Sequence, residues 1–283
     1  MGLSRARARW FIVGILKHAA LIPFSLLFLL PLVWMISTSL KTDRQVLVFP
    51  PVWIPNPIEW SNYPEALTGL VPFLLYTKNT VTICVFTVLG ALLSNTVIAY
   101  GFSRLHWPGR DMLFLAVLGT MMMPYQVTMI PLFLIFNRLG WINTFRPLTV
   151  PAFFGNAFFI FLLRQFMMGI PRDLTDAAYI DGASDIQQLV RIIIPLCKPV
   201  LATVTLFQFL WSWNDFLGPL IYLNEARRYT IAVGLAMFEG GYGLTRIAQL
   251  MAASTVTTLP IIILFFFTQR TFIQGITLTG LKG

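Results

Sequence analysis

The stretch NTVTICVFTVLGALLSNTVIAYGFS, residues 79–103, contains no Asp, Glu, Lys or Arg. A helix rises about 1.5 Å per residue, so about 20 apolar residues cross a hydrocarbon core about 30 Å thick. This stretch is therefore long enough to span a bilayer as one helix. Other uncharged stretches occupy residues 18–40, 112–137 and 247–269, and two shorter ones occupy residues 147–163 and 199–214. The pattern indicates a chain that crosses a membrane several times.

The composition of the chain agrees with this interpretation. Hydrophobic residues make up 57% and charged residues 11% of the sequence, whereas a soluble domain carries about 25% charge. A conventional cytosolic enzyme and a disordered chain are excluded on this ground. The formal net charge of +9 is better explained by membrane topology than by nucleic-acid binding. Cys84 and Cys197 form neither a disulfide framework nor a metal site.

We predict an all-α integral membrane protein with six transmembrane helices in a single domain over residues 1–283. The predicted spans are residues 12–38, 73–103, 111–136, 147–168, 195–221 and 247–270. Within the third span, Pro124 is expected to open the helical backbone, because proline removes a backbone donor.

The distribution of basic residues predicts the orientation of these spans. With both termini in the cytoplasm, twelve Lys and Arg residues lie on the inner side and eight on the outer side. Cytoplasmic segments are enriched in Lys and Arg, so the sign of this difference favours cytoplasmic termini. Arg5, Arg7 and Arg9 are the clearest part of the bias.

The largest predicted cytoplasmic segment contains PRDLTDAAYIDGASDIQQLVRIIIP, residues 171–195. Asp173 suits a helix start, since an acid is favoured at the positive end of the helix dipole. Gly182 suits a helix stop, where glycine adopts a left-handed conformation at little cost. Ser184 and Gln187 have the spacing of a capping box that opens a second helix. The segment therefore predicts two short helices around a glycine turn.

One face of the first predicted helix combines small and acidic residues. Leu174, Ala177, Ala178 and Asp181 are three or four residues apart and so share this face. The two alanines allow a partner to approach closely. On periodicity alone, an ordinary amphipathic cytoplasmic hairpin is the favoured explanation of the pattern.

The residues of this loop resemble the EAA loop of permease subunits of ABC importers. That pattern is Glu-Ala-Ala, three residues, Gly, nine residues, Ile, one residue and Leu-Pro. The matching residues in this chain are Asp176, Ala177, Ala178, Gly182, Ile192, Ile194 and Pro195. Aspartate replaces the glutamate and Ile194 replaces the leucine. Both changes keep the chemical type, although the shorter acid alters the reach to a partner.

Three further segments resemble the carbohydrate-uptake branch of this family, and the likeness covers nearly the whole chain. They are Asp181-Gly182-Ala183, the run Trp211–Asp215 and the C-terminal tail of residues 275–283. The resemblance implies a multi-pass protein of a bacterial or archaeal cell (inner) membrane, with a cytoplasmic C-terminus. It also implies that residues 171–194 couple the chain to an ATPase. The implied coupling residues are Asp176, Ala177, Ala178, Asp181, Gly182 and Ala183.

The resemblance further implies the partners of the chain. These are a second, different permease subunit, two cytoplasmic ATP-binding subunits and an extracytoplasmic sugar-binding protein. ATP and Mg would be bound by the ATP-binding subunits, with no cofactor in this chain. The implied function is passage of a sugar or oligosaccharide into the cytoplasm by ATP-driven alternating access.

The motifs that are missing from the sequence agree with a transport subunit that hydrolyses nothing itself. A P-loop requires Gly-Lys before Ser or Thr, and no Gly-Lys pair occurs. Neither a HExxH motif nor a Gly-x-Ser-x-Gly nucleophile elbow is present. Proton-coupled carriers usually need buried carboxylates or histidines, and Asp215 is the one carboxylate that lies in a predicted span beyond its first residue. An ion-coupled secondary transporter that uses backbone carbonyls remains the alternative.

A polar and aromatic segment is the candidate for the substrate path. Sugars require hydrogen bonds and flat apolar surfaces to stack against. The candidate residues are Trp211, Trp213, Asn214, Asp215, Tyr125 and Gln126. A structural role is the competing interpretation, because tryptophans at span ends anchor to lipid headgroups and single amides often bridge helices. In related maltose importers, the sugar site belongs mainly to the other permease subunit.

Overall fold

The structure is a computed structural model that describes the backbone of residues 2–69, 71–238 and 246–280. Side chains are described for residues 13–69, 71–238 and 246–269. No β-strand occurs in these residues, so the predicted all-α class is confirmed. The described chain forms two compact units, residues 1–71 with 237–256, and residues 72–236 with 257–283. Leu281–Gly283, at the end of the family-like tail, lie outside the described residues.

The first unit contains a long N-terminal helix and two short ones. They are α1 (Gly2–Ser39), α2 (Asp43–Val46) and α3 (Asn62–Thr68). Lys41 follows α1 and is 1% exposed, with its Nζ 3.7 Å from the centroid of the Trp34 ring. The side chain of Asn62 donates to the main-chain oxygens of Ser39 and Lys41 at 3.0 and 2.8 Å. These contacts fix the turn that follows α1.

The second unit is built around one uninterrupted helix, α4 (Phe73–Ser103). The helices that follow are α5 (Arg110–Thr120), α6 (Tyr125–Arg138), α7 (Arg146–Thr149), α8 (Ala157–Met168), α9 (Asp173–Ile180), α10 (Asp185–Gln188), α11 (Ile194–Leu196), α12 (Lys198–Trp213), α13 (Leu217–Tyr222) and α14 (Ile231–Met237). A final helix, α15 (Ile247–Gly280), contributes residues to both units.

Length and composition alone make four helical segments of the described chain candidates for membrane spans. They are Val13–Ser39, Phe73–Ser103, Arg146–Met168 and Ile247–Gln269. Two further pairs of helices are bent at a short break, and the number of candidate spans rises to six if each pair counts as one span. The chain bends by 96° between α5 and α6, and by 79° between Asp185–Leu196 and α12. The break before α6 falls at Met121–Pro124, which confirms the predicted opening of the helical backbone at Pro124.

The core of the second unit lies where α4, α8 and α12 pack together. Ala91, Phe159, Leu163, Cys197 and Val204 belong to it, and each is no more than 1% exposed. Small residues such as Ala91 let neighbouring helices approach closely, as is common in membrane proteins. Cys84, in the same unit, is likewise buried, and both cysteines are free thiols.

The start of α4 is held by neutral hydrogen bonds. Asn79 Nδ2 donates to the main-chain oxygens of Arg227 and Tyr229, both at 2.9 Å. The hydroxyl of Thr80 accepts from the main-chain nitrogen of Ile231 at 2.9 Å. Amide and hydroxyl groups of α4 thus fix the segment of residues 227–231.

A polar corner beside this segment is organised by Asn143, which has φ of 60°. Its Oδ1 accepts from the main-chain nitrogen of Glu225 at 3.2 Å, and its Nδ2 donates to Glu225 Oε1 at 2.7 Å. Arg227 Nε lies 2.6 Å from Glu225 Oε2. Hydrogen bonds from Arg227 and then Asn143 hold the pKa of Glu225 below its ordinary value.

Candidate functional site

The EAA-like loop folds as the predicted helical hairpin, which we call the coupling hairpin (residues 171–194). Its first helix, α9, carries Asp173 and Asp176 in the first turn. The helix ends at Ile180, and Gly182, two residues further on, has φ of +80°. Ala183 N donates to Ala178 O at 2.9 Å, and Gly182 N donates to Tyr179 O at 3.0 Å. This bond pair is a Schellman motif, which satisfies the last carbonyls of a helix.

The second helix of the hairpin opens with the predicted capping box. The main-chain nitrogen of Ser184 donates to Gln187 Oε1 at 2.9 Å, and Gln187 N donates to Ser184 Oγ at 3.4 Å. A π-helical turn, Leu189–Ile193, follows α10. Gln188 is 5% exposed and its Nε2 donates back to Ala183 O at 3.1 Å. The glycine turn is therefore fixed from both sides.

The outer face of the hairpin is apolar and open. Tyr179, Ile180 and Ile186 are 75%, 84% and 74% exposed. Asp176, Ala177, Asp181 and Gly182 are also exposed, while Ala178 and Ala183 are half-buried. The six implied coupling residues thus lie together on one short hairpin. The described part of the chain supplies no partner for this apolar face.

A cleft of about 730 Å³ lies among α4, α6, α12 and the segments that adjoin them. The walls combine polar and aromatic side chains, among them Asn95, Tyr125, Gln208, Trp211, Asp215 and Tyr222. Trp211 is 47% exposed and stacks on Phe159, with ring centroids 4.8 Å apart. The cleft therefore offers a flat aromatic wall beside hydrogen-bonding groups.

The polar groups of the cleft are already oriented by neighbours. Asn95 Oδ1 accepts from Asn156 N at 2.6 Å. Gln208 Nε2 donates to Ser212 Oγ at 3.0 Å. Asp215 Oδ1 accepts from Gly218 N at 3.0 Å, at the start of α13. Because such bonds restrict the side chains, the cleft presents its polar groups in defined directions.

Half of the candidate substrate-path residues line this cleft and half do not. Trp211, Asp215 and Tyr125 line it. Trp213 is 5% exposed, and its Nε1 donates to Thr257 O at 3.2 Å. Asn214 Nδ2 donates to Leu210 O at 2.8 Å, within its own helix end. Gln126 is exposed outside the cleft.

Gln208 and Tyr222 line the cleft but were not among the candidates from the sequence. The helical spacing of Gln208 from Trp211 is the sequence signal that identifies Gln208. Gln208, Trp211 and Ser212 are spaced i, i+3 and i+4, so α12 places them on one face. Tyr222 follows the break between α12 and α13 and carries no such signal.

Groups of three or more His, Cys, Asp or Glu side chains suited to a metal ion are absent from the described residues. Apolar helices of spanning length around a polar cleft are typical of helical membrane transport proteins. The chain belongs to the family of binding-protein-dependent transport system inner membrane components, whose model matches residues 87–278. It is thus a transport component of an inner membrane.

Known proteins similar to this chain are transport permeases. The arabinooligosaccharides transport system permease protein AraQ of Halalkalibacterium halodurans is 34% identical over 96% of this chain and 95% of its own length. The trehalose/maltose transport system permease protein MalG of Thermococcus litoralis is 33% identical, covering 92% and 93%. A solved bacterial ABC transporter that imports the acidic polysaccharide alginate is 27% identical, with TM-score 0.81, covering 92% and 96%.

Proposed function

We propose that this chain forms half of the translocation path of an ABC importer for a sugar or oligosaccharide. An external binding protein delivers the substrate, and the path alternates between outward-facing and inward-facing states. The names of the similar permeases, which include arabinooligosaccharide and trehalose/maltose transporters, support the substrate class. Trp211 and the amides of the cleft supply the stacking surface and hydrogen bonds that a sugar requires.

ATP and Mg are bound and ATP is hydrolysed by two partner subunits in this proposal. The lack of a Gly-Lys pair in the sequence supports a chain without its own ATPase site. A second, different permease subunit completes the path. Both termini of this chain lie in the cytoplasm, as its distribution of basic residues favours.

The exposed coupling hairpin is the observation that carries the proposal. Its apolar and acidic surface docks in a groove of the ATPase, in the way that amphipathic helices bind grooves generally. Closure of the ATPase dimer moves α9, and the bent joint before α12 passes the movement to the cleft-lining residues of that helix. ATP biases the switch only through contacts that differ between the two states.

An ion-coupled secondary transporter is the alternative function. It would work without ATPase subunits and would transport when reconstituted alone. Membership of a binding-protein-dependent family favours the ATP-driven importer. The two functions predict opposite results when ATP is withheld from liposomes that contain the complete assembly.

Gly182→Val tests the proposed docking in the reconstituted complex. A β-branched residue at positive φ costs about 1–2 kcal/mol and distorts the turn. We expect sugar-stimulated ATP hydrolysis and transport to fall together, by about tenfold or more, as coupling free energies of 1–3 kcal/mol allow. Rates of sugar uptake and phosphate release measure the effect.

Gly140→Val is the matched control. Gly140 has φ of +67° and, like Gly182, has no atom within 4 Å of a Cβ built on it. The backbone strain is therefore similar, but the site lies outside the coupling hairpin. Equal losses in both variants, or full activity of Gly182→Val, would show that the hairpin does not couple the chain to the ATPase.

A further inference from the structure

Two arginines join the ends of α4 and α8 in a reciprocal manner. Arg104 follows α4, and its Nη2 donates to the main-chain oxygens of Met167 and Ile170 at 2.5 and 2.7 Å. Arg164, in α8, donates from Nε to the main-chain oxygen of Phe102 at 3.2 Å. We propose that this pair, the arginine clasp, is a positioning device that passes movement of the coupling hairpin directly to α4.

The carbonyls that the clasp binds lie at helix ends. The last carbonyls of a helix have no partner within the helix and carry the negative end of its dipole. A guanidinium is a suitable partner, since it is always charged and presents several donors in a fixed plane. Each helix therefore supplies the cation that caps the other. This arrangement fixes the axial position of α4 relative to α8.

Arg164 is held at several points. Its side chain is 12% exposed, and its Nη2 lies 3.6 Å from Asp111 Oδ1. The guanidinium carbon lies 4.1 Å from the centroid of the Phe114 ring. Because Asp111 and Phe114 belong to α5, the clasp fixes three helices at one level. Such a site depends on the flat shape of the guanidinium as well as on its charge.

Arg104 faces the coupling hairpin as well as α8. It lines a cavity of about 160 Å³ together with Arg172, Asp176 and Asp185. Burial, followed by the nearby charge of Arg172, lowers the pKa of Arg104, although an arginine stays charged in proteins. Its Nε is buried without a hydrogen-bond partner. The clasp therefore lies against the hairpin through a charged cavity.

The chain between the clasp and the hairpin is short. Ile170, whose carbonyl Arg104 binds, precedes the first residue of α9, Asp173, by only two intervening residues. A displacement of α9 is therefore not absorbed by a long linker. Two routes then lead from the hairpin into the membrane, one through α11 to α12 and one through the clasp to α4.

The proposal rests on the proposed function, because it assumes that the hairpin receives movement from an ATPase. The test uses the complete transporter in liposomes, with its binding protein and sugar, and measures sugar taken up per ATP hydrolysed. In Arg104→Met and Arg164→Met we expect hydrolysis to continue while this ratio falls about tenfold, within the usual range of coupling between sites.

Lysine variants separate positioning from simple stabilisation. One atom of Arg104, Nη2, donates to both carbonyls. We therefore expect the single ammonium of Arg104→Lys to keep the ratio of sugar uptake to ATP hydrolysis near the wild-type value. Arg164 uses Nε, Nη2 and its flat face, so we expect Arg164→Lys to remain uncoupled. Arg138→Met is the control, because Arg138 is exposed in the last turn of α6 and contacts neither the clasp nor the coupling hairpin.

Different results would contradict the role of the arginine clasp and the proposed function. If uptake and hydrolysis fall in parallel, so that the ratio stays at the wild-type value, the clasp only stabilises the fold. Equal ratios in Arg104→Lys and Arg164→Lys likewise contradict it. If the wild-type complex shows no sugar-stimulated hydrolysis, the proposed function itself fails, and the clasp fails with it.

Discussion

The two ends of α4 are fixed by different chemistry. At its start, the neutral groups of Asn79 and Thr80 bond the main chain of residues 227–231. At its end, Arg104 and Arg164 bond carbonyls across two helices. The neutral bonds join α4 to that one segment, whereas the arginines also reach α5 and the cavity beside the coupling hairpin.

This difference indicates that the start of α4 is anchored, whereas its end transmits movement. Removal of a buried amide that donates to two carbonyls is strongly destabilising, because both carbonyls lose their donor. A guanidinium presents several donors in one fixed plane, so it can bind carbonyls and an acid on neighbouring helices at once and link their positions. We therefore expect variants at the start of α4 to change stability, and variants at its end to change coupling.

Asn79→Leu is expected to have the largest effect on stability. It removes the two bonds to Arg227 O and Tyr229 O. Two carbonyls left without donors cost about 1 kcal/mol each or more, so we expect a loss of about 2 kcal/mol in the free energy of unfolding. Denaturant titration of the purified chain in detergent measures the loss.

Thr82→Val is the control for that experiment. The hydroxyl of Thr82 donates to Lys78 O within α4 and fixes no other segment. We expect its unfolding free energy to stay within about 0.5 kcal/mol of the wild type, as for most surface changes. Equal losses in the two variants would contradict an anchoring role for Asn79.

Glycines in α4 sharpen the comparison with a smaller effect. A Cβ at Gly90 would lie 2.7 Å from the ring of Phe153, whereas nothing lies within 4 Å of one at Gly101. Overpacking costs about 1–3 kcal/mol, so we expect Gly90→Ala to lower the unfolding free energy by about 1 kcal/mol. Gly101→Ala should raise it by about 0.5–1 kcal/mol, because alanine favours helix. The same sign in both titrations would be inconsistent with this packing.

Acidification is expected to have the smallest effect on stability, through Glu225 in the polar corner beside the start of α4. Arg227 and Asn143 hold the pKa of Glu225 below its ordinary value of 4.5. The stabilisation is therefore present above pH 4.5 and is lost as the pH falls through the lower pKa of folded Glu225. The midpoint temperature of thermal unfolding should fall more steeply over this pH range in the wild type than in Glu225→Gln. Parallel curves would show that the carboxylate contributes no pH-dependent stability.

Local features of the fold were predictable from the sequence. The helix over residues 73–103 was predicted with the bounds that the structure gives. Gly182 and Ser184 correctly placed the turn and the second helix of the hairpin, since caps act over a few residues. Pro124 correctly placed the break before α6, because a missing donor acts at one position.

Features that depend on distant packing were not predictable in the same way. Four of the candidate substrate-path residues, Trp211, Trp213, Asn214 and Asp215, are close together in sequence, but a helix turns about 100° per residue and so separates their side chains. Trp213 therefore packs beside Thr257 instead of lining the cleft. The clasp was also missed: Arg104 and Arg164 counted only as topology charges, because bonds to carbonyls of another helix leave no sequence pattern.

The two native thiols, on Cys84 and Cys197, are 2% and 0% exposed. Thiol reagents in water or lipid therefore have little access to them while the chain is folded. A single cysteine introduced at an exposed position such as Ile180, which is 84% exposed, would be the one that reacts. Fluorescent or crosslinking probes can thus be attached to the coupling hairpin while both natural cysteines stay in place.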